Sequence, residues 1–401
     1  MVNFLKNYQK IMYSGLVIFA IFSTISISGQ LVGSIIALLG WIMKIVYEKK
    51  INLEKNSLNL PICLFFLSIV ISTLFSPYFE NSADRIRSDG EKILLFFLVV
   101  IGVKEIKHSK ILINILIISA GVESAYILLQ YFWKIYLFNV VISKNLLTDR
   151  SLGGCLSMVI PITLCLFGIL SKFDKKLLAL IILIIILFLL LIVNNTRGAW
   201  VGVSLVMVIL SIIEYKRFLW FFLSIFLIAY FILPFHIKSG TYIRIKSIFE
   251  KNSSNLERIS FSKEALIMIK DNPILGVGPN NFKYYYCKKH NIKMENFCHK
   301  TCHNNFLNIG AEMGILGLCT FIYLLVIFYK NAINKLIEFK GSDNFWLILG
   351  IILSISSILT GGMFNYSLDC RTGYLFWFLL GIYVKMTSSN KDSSCGAREV
   401  S

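Results

Sequence analysis

The sequence predicts an all-α integral membrane protein of about twelve transmembrane helices, with one long extracytoplasmic loop containing amphipathic helices. Three observations predict it. Hydrophobic residues make up 56% of the 401-residue chain and charged residues 15%, with a mean hydropathy of +0.72, whereas a soluble protein of this length carries roughly 25% charged residues. Apolar runs long enough to cross a bilayer recur along the chain. Lysine and arginine fall in alternate gaps between those runs, as the positive-inside rule requires.

The apolar segments lie near 11–28, 30–47, 59–77, 92–103, 111–133, 152–171, 177–193, 197–213, 218–235, 304–329, 345–362 and 371–387. The first has no small-residue cleavage site and reads as a first helix, not a removed signal. The fourth is short, and losing it would invert every later orientation. With a cytoplasmic N-terminus, the inner segments hold 20 Lys and Arg against 7 in the short outer loops, among them Arg85, Arg150, Arg197 and Arg371. The bias holds on both sides of the fourth segment. The expected organisation is therefore 1–235 with nine helices, an extracytoplasmic loop over 236–302, three helices over 303–390 and a cytoplasmic tail over 391–401. No internal repeat is visible.

The net charge of +18 follows largely from this topology, so it does not point to nucleic acid. The long loop adds twelve Lys and Arg against five acids, which reads either as a solvated basic surface or as a site for an anion. Within it, Ser254-Asn-Leu-Glu257 fits a capping box. Leu256, Ile259, Leu266 and Ile269 follow at helical spacing and Asn272-Pro273 stops the run. The spacing predicts an amphipathic helix over about 255–270 at the outer membrane surface, carrying Arg258, Lys263 and Lys270. In GVGPNN, Gly276 and Gly278 supply turn angles; the segment follows Pro273 in a loop and is not a dinucleotide fingerprint.

Two stretches carry candidate chemistry. In NNTRGAW, Thr196 caps a helix that opens on Arg197, and Gly198 and Ala199 leave the backbone open. A helix N-terminus with an arginine is an anion site suited to phosphate; the alternative is an interfacial arginine reaching to headgroups. In CHKTCHNNFLNIGAEMGILGL, His303 precedes the tenth segment, and Asn305, Asn308 and Glu312 form one stripe of the helix, Glu312 about 13 Å below His303. His303 reads as a general base, or as a surface histidine above a polar seam used for packing. Cys298, His299, Cys302 and His303 lack zinc-knuckle spacing, and HExxH, GxSxG, Walker A and DxD patterns are absent, so an arginine and not a metal is the expected means of holding phosphate. Cys287, Cys298 and Cys302 leave a disulfide open.

TRGAW opening a span, an arginine helix followed by DNPILGVGPNNF, HNNFLNIGAEMGILGL opening the next span and GYLFWFLLG in the last resemble the O-antigen ligase and polymerase family of bacterial envelope proteins. The resemblance implies the mostly helical GT-C-like fold of lipid-linked-sugar glycosyltransferases. It implies transfer of a glycan from undecaprenyl diphosphate, in the inner membrane and at its outer, periplasmic face, without metal or cofactor, in lipopolysaccharide biosynthesis. The acceptor would be lipid A–core for a ligase, a growing polysaccharide for a polymerase, or a polypeptide for a protein O-glycosyltransferase. By the same resemblance Arg197 and Arg258 hold the diphosphate and His303 is the base. Asn304, Asn305, Asn308, Glu312, Arg150, Gly276 and Gly278 are candidate supports on their own account, not by the resemblance. The slight lean is to an inverting ligase. A lipid-linked-glycan transporter is the rival from another class, but it would place its polar groups near the midplane within repeats.

Overall fold

The computed structural model describes residues 7–51, 53–138, 150–170, 175–194, 196–213, 253–294 and 301–388. All regular structure among them is helical. In chain order the helices are α1 (Tyr8–Phe22), α2 (Ile27–Glu48), α3 (Asn59–Leu74), α4 (Phe79–Gly102), α5 (Ile106–Phe138), α6 (Arg150–Ile169), α7 (Lys175–Asn194), α8 (Arg197–Ile213), α9 (Ser253–Asp271), α10 (Phe282–Lys289), α11 (Asn305–Glu338), α12 (Asp343–Gly361) and α13 (Cys370–Ser388). Helices fall on every expected apolar segment except the ninth, 218–235, which lies outside the described residues, as do Cys298 and His299. By length and composition, six of the described helices can cross a membrane: α2, α5, α6, α7, α11 and α12. The apolar helices α1, α3 and α8 are shorter.

The doubtful fourth segment is the second half of the 24-residue α4. Its first half is charged, which is why an apolar window shortens it. Its far end is pinned to the start of the chain, the Gly102 carbonyl accepting from Gln9 Nε2 at 2.6 Å.

Small residues set how closely these helices pack. Apolar tails and lipid are equally apolar, so close backbone approach is what rewards association. In α2, Gln30, Gly33, Ala37 and Gly40 make one buried stripe against Met12, Gly15, Leu16 and Phe19 of α1, while Val32, Ile35, Leu39 and Val46 are exposed. In α12, Gly350 meets α6 at Ile162 and Cys165, and Ser357 and Gly361 meet α8 at Gly202 and Gly198. α13 is buried from Arg371 to Met386 and is the centre of the bundle.

α11 is not one continuous helix. Gly314 has φ 63° and ψ −163°, a region that only glycine visits at low cost. The break frees main-chain groups at a depth where water cannot serve them, and such backbone must be satisfied by protein. The segment after α9 does this. Val277 and Gly278 N–H donate to the Ala311 and Glu312 carbonyls at 3.0 and 2.8 Å, and Ile315 and Leu316 N–H donate to the Pro273 and Ile274 carbonyls at 2.8 and 3.3 Å. Positive φ at Gly276 (69°), Gly278 (95°) and Asn280 (65°) lets the segment run alongside α11.

α9 forms where the spacing predicts, and ends before Asn272-Pro273. Its Leu256, Ile259 and Leu266 are exposed. The face that packs on the protein is Phe261, Ala265 and Met268, in a second core with Val277, Phe282, Cys302 and Ala311.

Candidate active site

His303 lies just ahead of α11. Its φ of 60° is unusual for a residue with a side chain, and the side chain is 8% exposed. The turn aims the chain into Asn304, the N-cap, whose Oδ1 accepts from Leu307 N–H at 3.0 Å. His303 Nδ1 lies 3.2 Å from Asn365 Oδ1, and its ring centroid is 6.1 Å from that of Phe261 on α9.

Arg197 is the first residue of α8. Thr196 stands in the cap position: its carbonyl accepts from Trp200 N–H at 3.2 Å, and its hydroxyl donates to Asn194 Oδ1. The open backbone expected at Gly198 is filled by protein, because a Cβ there would sit 2.7 Å from the Gly361 carbonyl oxygen and 3.6 Å from Asn365 Cβ. α8 therefore starts against the end of α12. A narrow cleft lies there, lined by Gly154, Ser157, Thr196, Gly198, Asn365 and Ser367 among others. Gly153 packs against Asn194 and Thr196, which brings the N-terminus of α6, and with it the backbone of Arg150, to the same end. The side chain of Arg150 lies outside the described residues.

Arg258 on α9 is half-buried and donates from Nη1 to the Phe364 carbonyl at 3.0 Å. Two of the residues singled out in the sequence, and the neighbour of the third, therefore meet one segment, 361–369: Gly198, next to Arg197, touches Gly361 and Asn365, Arg258 touches Phe364, and His303 touches Asn365.

The polar stripe of α11 holds that segment in place. Asn304 Nδ2 donates to the Met363 carbonyl at 3.0 Å. Asn305 donates from its main-chain N–H to the Gly362 carbonyl at 2.7 Å and from Nδ2 to Ser367 Oγ at 3.1 Å, and its Oδ1 accepts from Ser367 N–H at 2.8 Å. Asn308 Oδ1 accepts from Cys302 N–H at 3.2 Å. The amides thus serve as the packing seam. Glu312 is buried, its Oε1 accepts from Phe282 N–H at 3.4 Å, and it lines a small pocket with Arg85, Asp89, Tyr366 and Trp377. Burial pushes the Cys302 thiol up to about 12, so Cys302 is a packing residue. It and Cys287 are unpaired thiols.

Arg85 is the other residue the sequence reading counted only as a loop charge. Its Nε meets Asp89 at 2.8 Å and its Nη1 meets Asp369 at 3.1 Å, while Nη2 donates to the Tyr366 hydroxyl. Lys92 adds contacts to Asp89 at 3.0 Å and Asp369 at 3.4 Å. Burial raises the Asp369 carboxyl, but Arg85 and Lys92 outweigh it and hold the group at about 2.

Residues 182–322 match the family model described as O-antigen ligase. The match covers 141 of the 401 residues. The matched region contains Arg197, Arg258, His303 and Glu312 and ends within α11, so segment 361–369 and Arg85 lie beyond it. No curated protein matches the chain. The match and the several apolar helices together support a multi-pass membrane protein of ligase or polymerase type.

Proposed function

We propose that the protein is an inverting glycosyltransferase of the O-antigen ligase type. It moves a glycan from undecaprenyl diphosphate to lipid A–core at the periplasmic face of the bacterial inner membrane, with both termini cytoplasmic. The observation that carries the reading is the convergence of the α8 start, Arg258 and His303 on residues 361–365. The backbone one residue after Arg197, the Arg258 side chain and the His303 side chain come from elements far apart in sequence and contact the same short segment, beside a cleft at a helix N-terminus.

The arrangement fits the chemistry. The acceptor hydroxyl oxygen attacks the anomeric carbon while the carbon–oxygen bond to the diphosphate breaks, and the electron pair leaves on phosphate. His303 takes the hydroxyl proton. The leaving diphosphate gains negative charge as the bond breaks, so fixed guanidinium groups at Arg197 and Arg258 stabilise the transition state more than the ground state. Direct displacement inverts the anomeric centre. α9, with Leu256, Ile259 and Leu266 exposed beside Lys263 and Lys270, suits the membrane surface, where apolar side chains enter lipid and lysines meet headgroups.

The test is Arg197→Ala, Arg258→Ala and His303→Ala in cells lacking the native gene. Each is expected to lower surface glycan transfer at least a hundredfold with the protein present at normal levels, since a general base alone contributes about 10²–10⁴-fold. Near-normal transfer by any of them removes that residue from the mechanism. Glycan profiling of the deletion strain separates the acceptors. Loss of all attached glycan with long carrier-linked chains means a ligase. A single attached repeat means a polymerase. Glycan missing from a polypeptide means a protein O-glycosyltransferase.

A further inference from the structure

We infer that Asn365 is a positioning residue that fixes the tautomer of His303, so that Nε2 is the atom that takes the acceptor proton. This rests on His303 as the base. Asn365 lies 62 positions from His303, outside the region matched to the O-antigen ligase family.

The argument begins with the contact. Asn365 Oδ1 sits 3.2 Å from His303 Nδ1. An amide oxygen accepts and does not donate, so the bond needs a proton on Nδ1. A neutral imidazole carries one ring proton, which leaves Nε2 with its lone pair. The ring is also turned by the unusual φ at His303 and flanked by Phe261, so its orientation is held from three directions.

Asn365 is itself well placed to do this. Phe364 before it is held by Arg258 and Tyr366 after it by Arg85. Its Cβ lies against Gly198, one residue beyond Arg197. One side chain thus touches the base and lies next to the helix start proposed to hold the diphosphate. Charged and titratable groups on the elements packed against His303 are Glu257, Arg258, Lys263, Glu264, Lys270 and Asp271 on α9, Tyr366 and Asp369 beyond Asn365, and Glu312 and the more distant Lys330, Lys335 and Glu338 on α11. Asn365 itself is neutral, so it orients the ring without adding a charge.

The test uses the purified full-length protein, with membranes of a strain lacking the native gene as the source of carrier-linked glycan and acceptor. Asn365→Ala removes the acceptor atom. It is expected to lower kcat at least tenfold while KM for the carrier-linked glycan stays within about twofold. Asn365→Leu, closer in volume, serves the same purpose if the alanine variant does not accumulate. Asn365→Asp keeps an accepting oxygen and adds a negative charge within hydrogen-bond distance of the ring. It is expected to retain transfer, with the acid limb of the pH–rate profile moved up by about one unit, because an adjacent opposite charge favours the imidazolium.

The inference is overturned if Asn365→Asp is as inactive as Asn365→Ala, since the amide would then be donating to Nδ1. It is equally overturned if Asn365→Ala leaves rate and pH profile unchanged. His303→Ala, run in parallel, separates this from the reading it rests on. Full activity there removes His303 as base, whereas inactivity there with normal Asn365 variants removes only the positioning role.

Discussion

Two polar segments flank the site and are held in opposite ways. Residues 273–281 pair main chain to main chain with α11, helped by serine hydroxyls, Ser72 Oγ donating to the Leu275 carbonyl at 2.6 Å and Ser82 Oγ to the Pro279 carbonyl at 3.0 Å. Residues 361–369 are gripped mainly through side chains: Asn304, Asn305, Arg258, Arg85 and His303. A segment held through its backbone depends on conformation and tolerates the loss of single side chains. A segment held through side chains can be loosened one contact at a time. The segment of the second kind carries Asn365, so the part of the site nearest the chemistry is the part most easily perturbed.

The sharpest way to break this comparison is Gly314→Ala. The backbone angles there belong to glycine, and a Cβ would collide with the Ile274 carbonyl and Leu275 nitrogen. Strain of about 1–3 kcal/mol adds to an overpacking cost of similar size, about 2–6 kcal/mol together. The expected result is a melting temperature in detergent lowered by many degrees, or failure to accumulate. A variant that melts like the parent would mean that the α11 break is not fixed by its pairing with 273–278.

Arg85→Ala comes next. Removing one partner of a buried ion pair costs about 3–5 kcal/mol, and Lys92 still serves both Asp89 and Asp369, so about 2–3 kcal/mol is expected. Transfer should fall further than stability, because Tyr366 follows Asn365 directly. Arg85→Lys should rescue fold more than activity, since an ammonium cannot span the two carboxylates and the Tyr366 hydroxyl as a guanidinium does. Equal rescue of both would show that Arg85 acts through charge alone. Asn305→Ala is smaller again, about 1 kcal/mol for the part-buried Ser367 N–H left without its acceptor, measured by the same melts beside transfer rates.

Much of this was legible in the sequence because it is local. Helices on the apolar segments, the stop at Asn272-Pro273 and the turn at Gly276 and Gly278 follow from period and backbone preference over a few residues. TRGAW and HNNFL stood out because each pairs a charged or titratable residue with a helix start, and both starts contact residues 361–369. What was missed is non-local. Nothing near Asn365 says that His303 will meet it, and Arg85 acquires its meaning from Asp369, 284 positions away. The break at Gly314 was hidden because ILGVG supplies its missing partners. α9 has apolar residues on two faces, so spacing alone could not say that Phe261, Ala265 and Met268 would pack inward.

The weakest lever on the side-chain-held segment is pH. Arg85 and Lys92 depress Asp369 from 3.8 to about 2, against the opposing effect of burial. A carboxylate whose folded value is lowered stabilises the fold fully above its unfolded value and loses that contribution as pH falls through the folded one. The contribution of Asp369 should therefore be constant from neutral pH down to about 4 and disappear between about 4 and 2. Melts of the parent and of Asp369→Asn in detergent, compared at pH 7 and pH 3, measure it. The gap between them should narrow on acidification, and by a modest amount, because the Asp369 side chain is 42% exposed and solvent screens the pair. A gap that stays constant to pH 2 would mean that the asparagine loses a hydrogen-bonding geometry and not a charge, and that Arg85 holds 361–369 through Tyr366.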